Sequence, residues 1–496
     1  MPEHLKEACG VFGAHNFKND PVFPCIYWGL RALNHRGHQS HGFLTFDGGF
    51  HAHKGLDLIP EIKKETIQKW VRRLPGYMGL GHVRYATSGG TDEQSLVKNT
   101  APILDRLGKI KIAISFNGNI VNSQKILGKI KEKFPNFQYS FDAQLISRKL
   151  LMKLKEEGDL ASSVRSCMKE LEGSFSVAGI TQKGELFAFK DPNGIRPLCC
   201  GYSEDRKIYA VSSETVGLDI NGFEFNFEIE PGELVIASED GFVREQIVKC
   251  EKRALCAFEF AYFARPDSRL GDKFVYEVRE EFGRNLGREY PETVGDVNMI
   301  VSMPATGDDA AFGLHESTGK RWERASRRHR YVTERAFILL PEERFTTISK
   351  KINIIDHKIA GKNVAVVDDS IVRGDTSKVM VKKLRKMGAK KVYLFITFPR
   401  IIGPCFYGVD MATYGELIGA RYEPEEIAKI IGADAVNYQS VNGFVKATGL
   451  SRDELCLGCV TGKYPTPTAQ KLADEMKERF EKGYKETGRI YEATIH

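Results

Sequence analysis

Three groups of residues in this sequence could do chemistry. The stretch NVAVVDDSIVRGDTSK (363–378) ends an apolar run in the adjacent carboxylates Asp368 and Asp369, passes Gly374, and reaches Thr376 and Ser377, where a helix is expected to open. Backbone N–H groups at a helix N-terminus, a glycine that permits close approach and two hydroxyls form an anion cradle, while paired carboxylates at a strand end can hold vicinal ribose hydroxyls. The plainer alternative, an acidic turn capping a helix, accounts for less of the pattern. Cys456 and Cys459 form a C-x-x-C pair, which alone is open to redox chemistry, zinc or chance. Cys9 begins the string CGVFG, a place where a lone cysteine is ordinarily a small core residue.

The elements that must position these residues divide near residue 250. Before it, IKIAISFNGNI (110–120), GSFSVAGIT (173–181), ELFAFK (185–190) and ELVIAS (233–238) are short apolar runs between Gly, Asn and Pro turn signals, with helices such as DAQLISRKLLMKLKEEG between them. This is a strand-rich α+β half. After it, NVAVVDDS is an apolar strand, SKVMVKKLRKMG has helical spacing with a glycine stop, and KKVYLFITF is another buried strand. Strand, helix, strand reads as a parallel α/β layer. The charged tail LADEMKERFEKGYKETGRIYEATIH is expected to be partly helical and carries no assigned chemistry.

The 496 residues, 42% hydrophobic and 28% charged with a mean hydropathy of −0.31, suit two large globular units and exclude disordered, fibrous and membrane classes. The net charge of +7 and pI of about 8.7 fall short of a dedicated nucleic-acid binder. No 18-residue apolar run and no signal peptide occur, so a cytoplasmic, non-membrane protein is expected. Ten cysteines are far too few for a disulfide scaffold.

Around the 363–378 segment stand AFEFAYFARPDSRLGDKFVYEVR (257–279), GPCFYGVDMAT (403–413), IGADAVNYQSV (431–441) and CLGCVTGKYPT (456–466), and before it NHRGHQSHG (34–42), GHVRYATSGG (81–90), FNGNI (116–120), SFDAQ (140–144) and DPNGIRPL (191–198). In this order they resemble the glutamine phosphoribosylpyrophosphate (PRPP) amidotransferases over about residues 9 to 466. The resemblance implies an N-terminal-nucleophile (αββα) glutaminase of the amidotransferase type 2 class over 9–248, after a removable leader 1–8, and a type I phosphoribosyltransferase over 249–496. It implies Cys9 as nucleophile with its own α-amino group as proton shuttle, Asn117 and Gly118 as the oxyanion hole, Arg84 on the glutamine carboxylate and Asp142 on its ammonium. Asp368 and Asp369 would hold the ribose and Mg²⁺, and Ser370, Arg373, Gly374, Thr376 and Ser377 the 5′-phosphate. Cys256 and Cys405 would join Cys456 and Cys459 around a [4Fe–4S] cluster of structural role, although zinc accepts the same four thiolates. Purine nucleotides as inhibitors and a homo-oligomer are also implied.

The sequence departs from the family at PATGDDAA (304–311), where Thr306 and Gly307 remain in the pyrophosphate loop but Asp308 and Asp309 add negative charge. Asp375 adds another in the phosphate loop. The basic segment RWERASRRHRYVTERAF supplies Arg328, Arg330 and Arg335 either for a flexible loop over the leaving pyrophosphate or as a solvated helix. His38 and His41 carry no assigned role. Two rival readings stand beside the main one: a paralogous glutaminase-phosphoribosyltransferase with another substrate, and a non-catalytic sensor of PRPP or nucleotides.

Overall fold

The computed structural model describes residues 9–85, 97, 99–138, 140–328, 352–484 and 486. In the first half, strands β1 (Gly10–Asn16), β2 (Ser40–Phe46), β3 (Phe50–Leu56) and β4 (Met78–Arg84) are followed by β5 (Ile103–Leu107), β6 (Ile110–Ile120), β7 (Gly173–Thr181) and β8 (Leu186–Lys190). Next come β9 (Cys199–Ser203), β10 (Ile208–Ser212), β11 (Glu224–Glu228), β12 (Glu233–Ser238) and β13 (Gly241–Gln246). They form two antiparallel sheets, ordered β11-β9-β10-β1-β4-β2-β3 and β13-β12-β8-β7-β6-β5.

The sheets stack because their strands are apolar on both faces. In β1, Phe12 and Ala14 pack toward helix Phe23–Ala32, while Val11 joins Leu80, Ala178 and Ile180 in the seam between the sheets. In β7 the division is reversed in sequence but equal in effect: Phe175 and Val177 meet helices Asp142–Glu157 and Leu160–Glu170, and Ala178 and Ile180 fill the seam. Each fully buried large side chain contributes about 1.5–3 kcal/mol, and the outcome is helix, sheet, sheet, helix, the αββα order expected.

The second half holds a five-stranded sheet ordered Arg321–Trp322, Met299–Ser302, Asn363–Asp368, Lys391–Ile396, Ala435–Tyr438, with every pair parallel. Strands 363–368 and 391–396 are linked by helix Asp375–Lys386, which opens one residue earlier than the sequence suggested because Gly374, at φ +90°, turns the chain immediately before it. Of the basic segment, Arg321–Trp322 and Ser326–Arg328 are short strands, so its described part is not the solvated helix considered from charge alone; pairing of Ser326–Arg328 with Ile352–Ile354 explains the difference. The tail forms helix Pro467–Glu481.

The halves are packed together. One apolar cluster joins Val121 and Ile195 to Phe258, Phe398, Phe406 and Met411. Among the described residues no helix is long and apolar enough to cross a membrane.

Candidate functional site

The first site forms where the two sheets of the N-terminal half face each other. Cys9 immediately precedes β1, whose Gly10 pairs with Val83, so the end of β4 sets Arg84 beside the thiol. The Cys9 thiol donates to the Tyr85 carbonyl at 3.7 Å. Burial pushes this thiol up, while that contact and the charges of Arg84, Arg36 and Arg196 act in the opposite direction. From the facing sheet β6 brings Asn117 and Gly118. The His82 Nε2–Phe116 carbonyl contact of 3.0 Å bridges the two sheets one or two residues from Arg84 and Asn117. Burial lowers His82 to about 3, which keeps the ring neutral and lets Nε2–H donate in that bridge.

Asn117 is 1% exposed, and its Nδ2 is a buried donor without a hydrogen-bond partner among the described residues. A buried N–H left open costs about 1–3 kcal/mol, so an acceptor that arrives with a substrate is well accounted for. Gly118 is fixed by packing: at φ +149°, a Cβ there would stand 2.0 Å from the Ser174 carbonyl oxygen. Asp142, first residue of helix 142–157, accepts from the Ile120 N–H at 2.7 Å and thereby ties this helix to the end of β6. The Arg84 guanidinium lies over the Phe141 ring, 5.3 Å from its centre. Four of the expected groups, Cys9, Arg84, Asn117 with Gly118, and Asp142, therefore share one end of the sandwich. The leader and the end of GHVRYATSGG lie outside the described residues.

The second site sits at the C-terminal ends of the parallel strands, where α/β sheets bind ligands. Asp368 and Asp369 are 9% and 7% exposed, and the Asp369 N–H donates to Asp368 Oδ1 at 2.9 Å. Ser370 Oγ donates to Asp369 Oδ2 at 2.6 Å, and Arg373 pairs with Glu416. Ser377 is buried in the first turn of helix 375–386, and Thr376 Oγ1 is a buried hydroxyl without a partner among the described residues. Asp375 is exposed. The loop carrying Thr306 crosses the same strand end: the Met303 N–H donates to the Val367 carbonyl at 2.9 Å. Gly307 approaches so closely that a Cβ would stand 2.3 Å from that carbonyl oxygen. Arg328 is exposed at a strand end, and Arg330 and Arg335 lie outside the described residues.

The two extra acids do not simply crowd this loop. Asp308 is the first residue of helix Asp308–Thr318, where a negative charge meets the positive end of the helix dipole, and it accepts from Ser302 Oγ at 2.5 Å. Asp309 is raised to about 6 by burial, partly offset by Arg279 and reinforced by Asp308 and Glu280. Because its pKa in the fold lies above the ordinary 3.8, its contribution to stability is complete below pH 4 and lost as pH rises through 6. Asp309→Asn is thus expected to raise the melting temperature at pH 7 relative to the parent and to leave it unchanged near pH 4, as thermal unfolding at the two pH values will show.

The third group lies within the C-terminal half. Cys256 and Cys456 are register partners in a short parallel pair, and with Cys405 and Cys459 they line one pocket closed by Phe258, Tyr407, Val409 and Tyr464. All four are free thiols. Burial pushes Cys256 up to about 12, against the opposing charge of Arg196, and the Tyr407 N–H donates to Cys405 Sγ at 3.3 Å. Among the described residues no three His, Cys, Asp or Glu side chains stand close enough to share a single metal ion. Cys25, Cys167, Cys199 and Cys200 are buried as core thiols and Cys250 is half-buried.

Sequence reasoning gave no role to four charged residues that the fold brings to Cys9. Arg36, Arg196, Glu214 and Glu259 are all fully buried. Three of them stand inside strings that attracted notice, HRGHQSHG, DPNGIRPL and AFEFAYF, and a charged residue in an otherwise apolar or turn-forming string is the signal that could have found them.

A family model described as a glutamine amidotransferase domain matches residues 93–219. The amidophosphoribosyltransferase of Methanocaldococcus jannaschii is 39% identical over 476 residues, spanning 92% of this chain and 98% of that protein. That of Bacillus subtilis is 35% identical, spanning 94% and 96%. Among solved structures, glutamine PRPP amidotransferase from B. subtilis complexed with ADP and GMP superposes with a TM-score of 0.82 at 34% identity, covering 93% of this chain and 98% of that one.

Proposed function

The chain belongs to the amidophosphoribosyltransferase family, and from that premise we propose how its residues divide the work. The enzyme uses glutamine to aminate PRPP, giving 5-phosphoribosylamine, glutamate and pyrophosphate in purine biosynthesis. Glutamine is hydrolysed in the N-terminal half, which we take to be residues 9–248, and ammonia is used in the half from 249 onward.

Once Cys9 is the first residue, its free α-amine, with an ordinary pKa of about 7.7–8.0, takes the thiol proton. The thiolate attacks the glutamine amide carbon, and the oxyanion is met by Asn117 Nδ2–H and the Gly118 N–H. The α-amine returns the proton to the leaving ammonia, and water releases glutamate from the thioester. Arg84 holds the glutamine carboxylate and Asp142 its ammonium, each by charge-assisted hydrogen bonds. The observation that carries this reading is the buried Asn117 Nδ2, which has no hydrogen-bond partner among the described residues, on the strand that faces the Cys9 sheet. In the second half Asp368 and Asp369 bind the ribose hydroxyls, and Ser370, Arg373, Gly374, Thr376 and Ser377 hold the 5′-phosphate. Thr306 and Gly307 face the pyrophosphate, and the charges of Arg328, Arg330 and Arg335 would neutralise it as it leaves. Asp368 and Asp369 would also hold Mg²⁺, which would supply positive charge to the substrate phosphate oxygens that it prefers. Steady-state glutamate release with and without PRPP tests the reading as a whole.

Cys256, Cys405, Cys456 and Cys459 are suited to hold a [4Fe–4S] cluster. Four soft thiols line one pocket, the donor set that such a cluster takes, although zinc accepts the same set. The reaction has no redox step, so the group would fasten the C-terminal segment to the core. Anaerobically purified protein is expected to be brown with about four iron and four sulfide per chain; colourless protein with one zinc would keep the ligands and reject the cluster. Inhibition by purine nucleotides belongs to the same proposal, supported by the ADP and GMP bound to the B. subtilis relative, as does a homo-oligomer.

A further inference from the structure

We propose that Glu259, in the C-terminal half, is a positioning residue for the glutaminase nucleophile and acts through Arg36. The inference rests on the reading of Cys9 as that nucleophile and concerns how its main chain is held.

Cys9 carries both reacting groups, thiol and α-amine, on one residue, so its backbone orientation decides whether either faces the substrate carbon. Its carbonyl accepts from Arg36 Nε at 3.2 Å. The rest of the Arg36 fork is spent on two carboxylates. Nη1 donates to Glu214 Oε1 at 2.5 Å and to Glu259 Oε2 at 3.0 Å, and Nη2 donates to Glu259 Oε1 at 2.8 Å. Two carboxylates without solvent exposure thus fix one equally buried guanidinium plane, and that plane fixes the Cys9 carbonyl.

Both carboxylates are anchored from the C-terminal half. Glu259 stands on the single wide helical turn Glu259–Phe263, three residues after Cys256. Its Oε1 also accepts from Arg196 Nη1 at 3.0 Å, and Arg196 in turn donates through Nε and Nη2 to the Tyr407 carbonyl at 3.0 and 2.8 Å. Glu214 Oε2 accepts from Ser268 Oγ at 2.6 Å and from the Arg265 N–H at 2.9 Å, both in the C-terminal half, while His35 Nε2 lies 2.8 Å from Oε1. Two guanidiniums therefore share one oxygen of Glu259. Remove its charge and they repel in a medium that screens poorly, leaving Glu214 as the only carboxylate on Arg36 and drawing Nε away from Cys9. The glutaminase is then competent only when the phosphoribosyltransferase half is docked and presents Glu259.

The test compares Glu259→Gln, Glu259→Asp and Cys9→Ser in the full-length enzyme, measuring kcat and KM with glutamine and the rate with ammonia. Displacement of the nucleophile by about 1 Å costs on the order of 100-fold. E259Q is expected to lower glutamine kcat by about 10- to 100-fold with KM for glutamine and the ammonia-dependent rate unchanged. E259D retains the charge and should recover part of the loss; it carries the same kcat-against-KM comparison if E259Q does not fold. An unaltered glutamine kcat in E259Q, or equal losses with glutamine and ammonia in either variant, would overturn the inference. Glutamine-dependent activity persisting in C9S would instead overturn the nucleophile reading beneath it.

Discussion

Cys9→Ser is expected to remove glutamine-dependent formation of phosphoribosylamine by at least about a thousandfold while ammonia-dependent formation continues. The serine hydroxyl is far less ionised than a thiol at neutral pH and a weaker nucleophile, so the exchange of one atom removes covalent catalysis without disturbing packing. The ammonia-dependent reaction survives because Asp368, Asp369 and the 303–307 loop stand on a separate parallel sheet. Parallel steady-state assays with glutamine and with ammonium chloride at raised pH check the outcome, and equal loss of both activities in a folded variant would deny two independent sites.

Asn117→Ala is expected to lower glutamine-dependent kcat by about 10²- to 10³-fold, the usual cost of one oxyanion-hole donor, with little change in KM for glutamine. The structural ground is the Nδ2 of the 1%-exposed Asn117, which has no hydrogen-bond partner among the described residues. A donor that meets its acceptor only as negative charge develops stabilises the transition state and not the bound substrate, so its loss appears in kcat. The variant should also be no less stable than the parent, since among the described residues that Nδ2 makes no hydrogen bond to lose. A rise in KM alone, measured over a glutamine titration, would place Asn117 in ground-state binding.

These two effects show what was legible in the chain before its fold. The strands that carry the first site were readable nearly to the residue: IKIAISFNGNI and GSFSVAGIT are β6 and β7 in full. Both runs are apolar and bounded by turn residues, and local pattern suffices there. Cys9, Arg84, Asn117, Gly118 and Asp142 were expected from the family resemblance of the strings that hold them, and the fold brings them to one end of the sandwich. The role of Glu259 was not legible, because it depends on where Arg36, some 220 residues earlier, places its guanidinium, and no local rule encodes a contact of that range. The consequences of Asp308 and Asp309 were half legible. Two added negative charges could be counted, but the bond from Ser302 to Asp308 and the burial that raises Asp309 come only with the helix that begins at Asp308. Helix 375–386 was displaced by one residue for a related reason, since Gly374 at positive φ ends the loop more abruptly than the hydroxyls of Thr376 and Ser377 suggest.

The anchoring of Glu214 by Ser268 and the Asn119 Nδ2 bond to the Phe406 carbonyl at 3.1 Å make the two halves one mechanical unit. Such coupling suits an enzyme that must not release ammonia unless the acceptor is present. Ammonia that reached water would be protonated and lose its nucleophilicity.

The most direct measurement is therefore the stoichiometry of glutamate and pyrophosphate released when glutamine is supplied with and without PRPP and Mg²⁺. The account predicts little glutamate without PRPP, and one pyrophosphate for each glutamate with it. Glutamate released at the same rate in both conditions, with no pyrophosphate formed, would contradict the assignment.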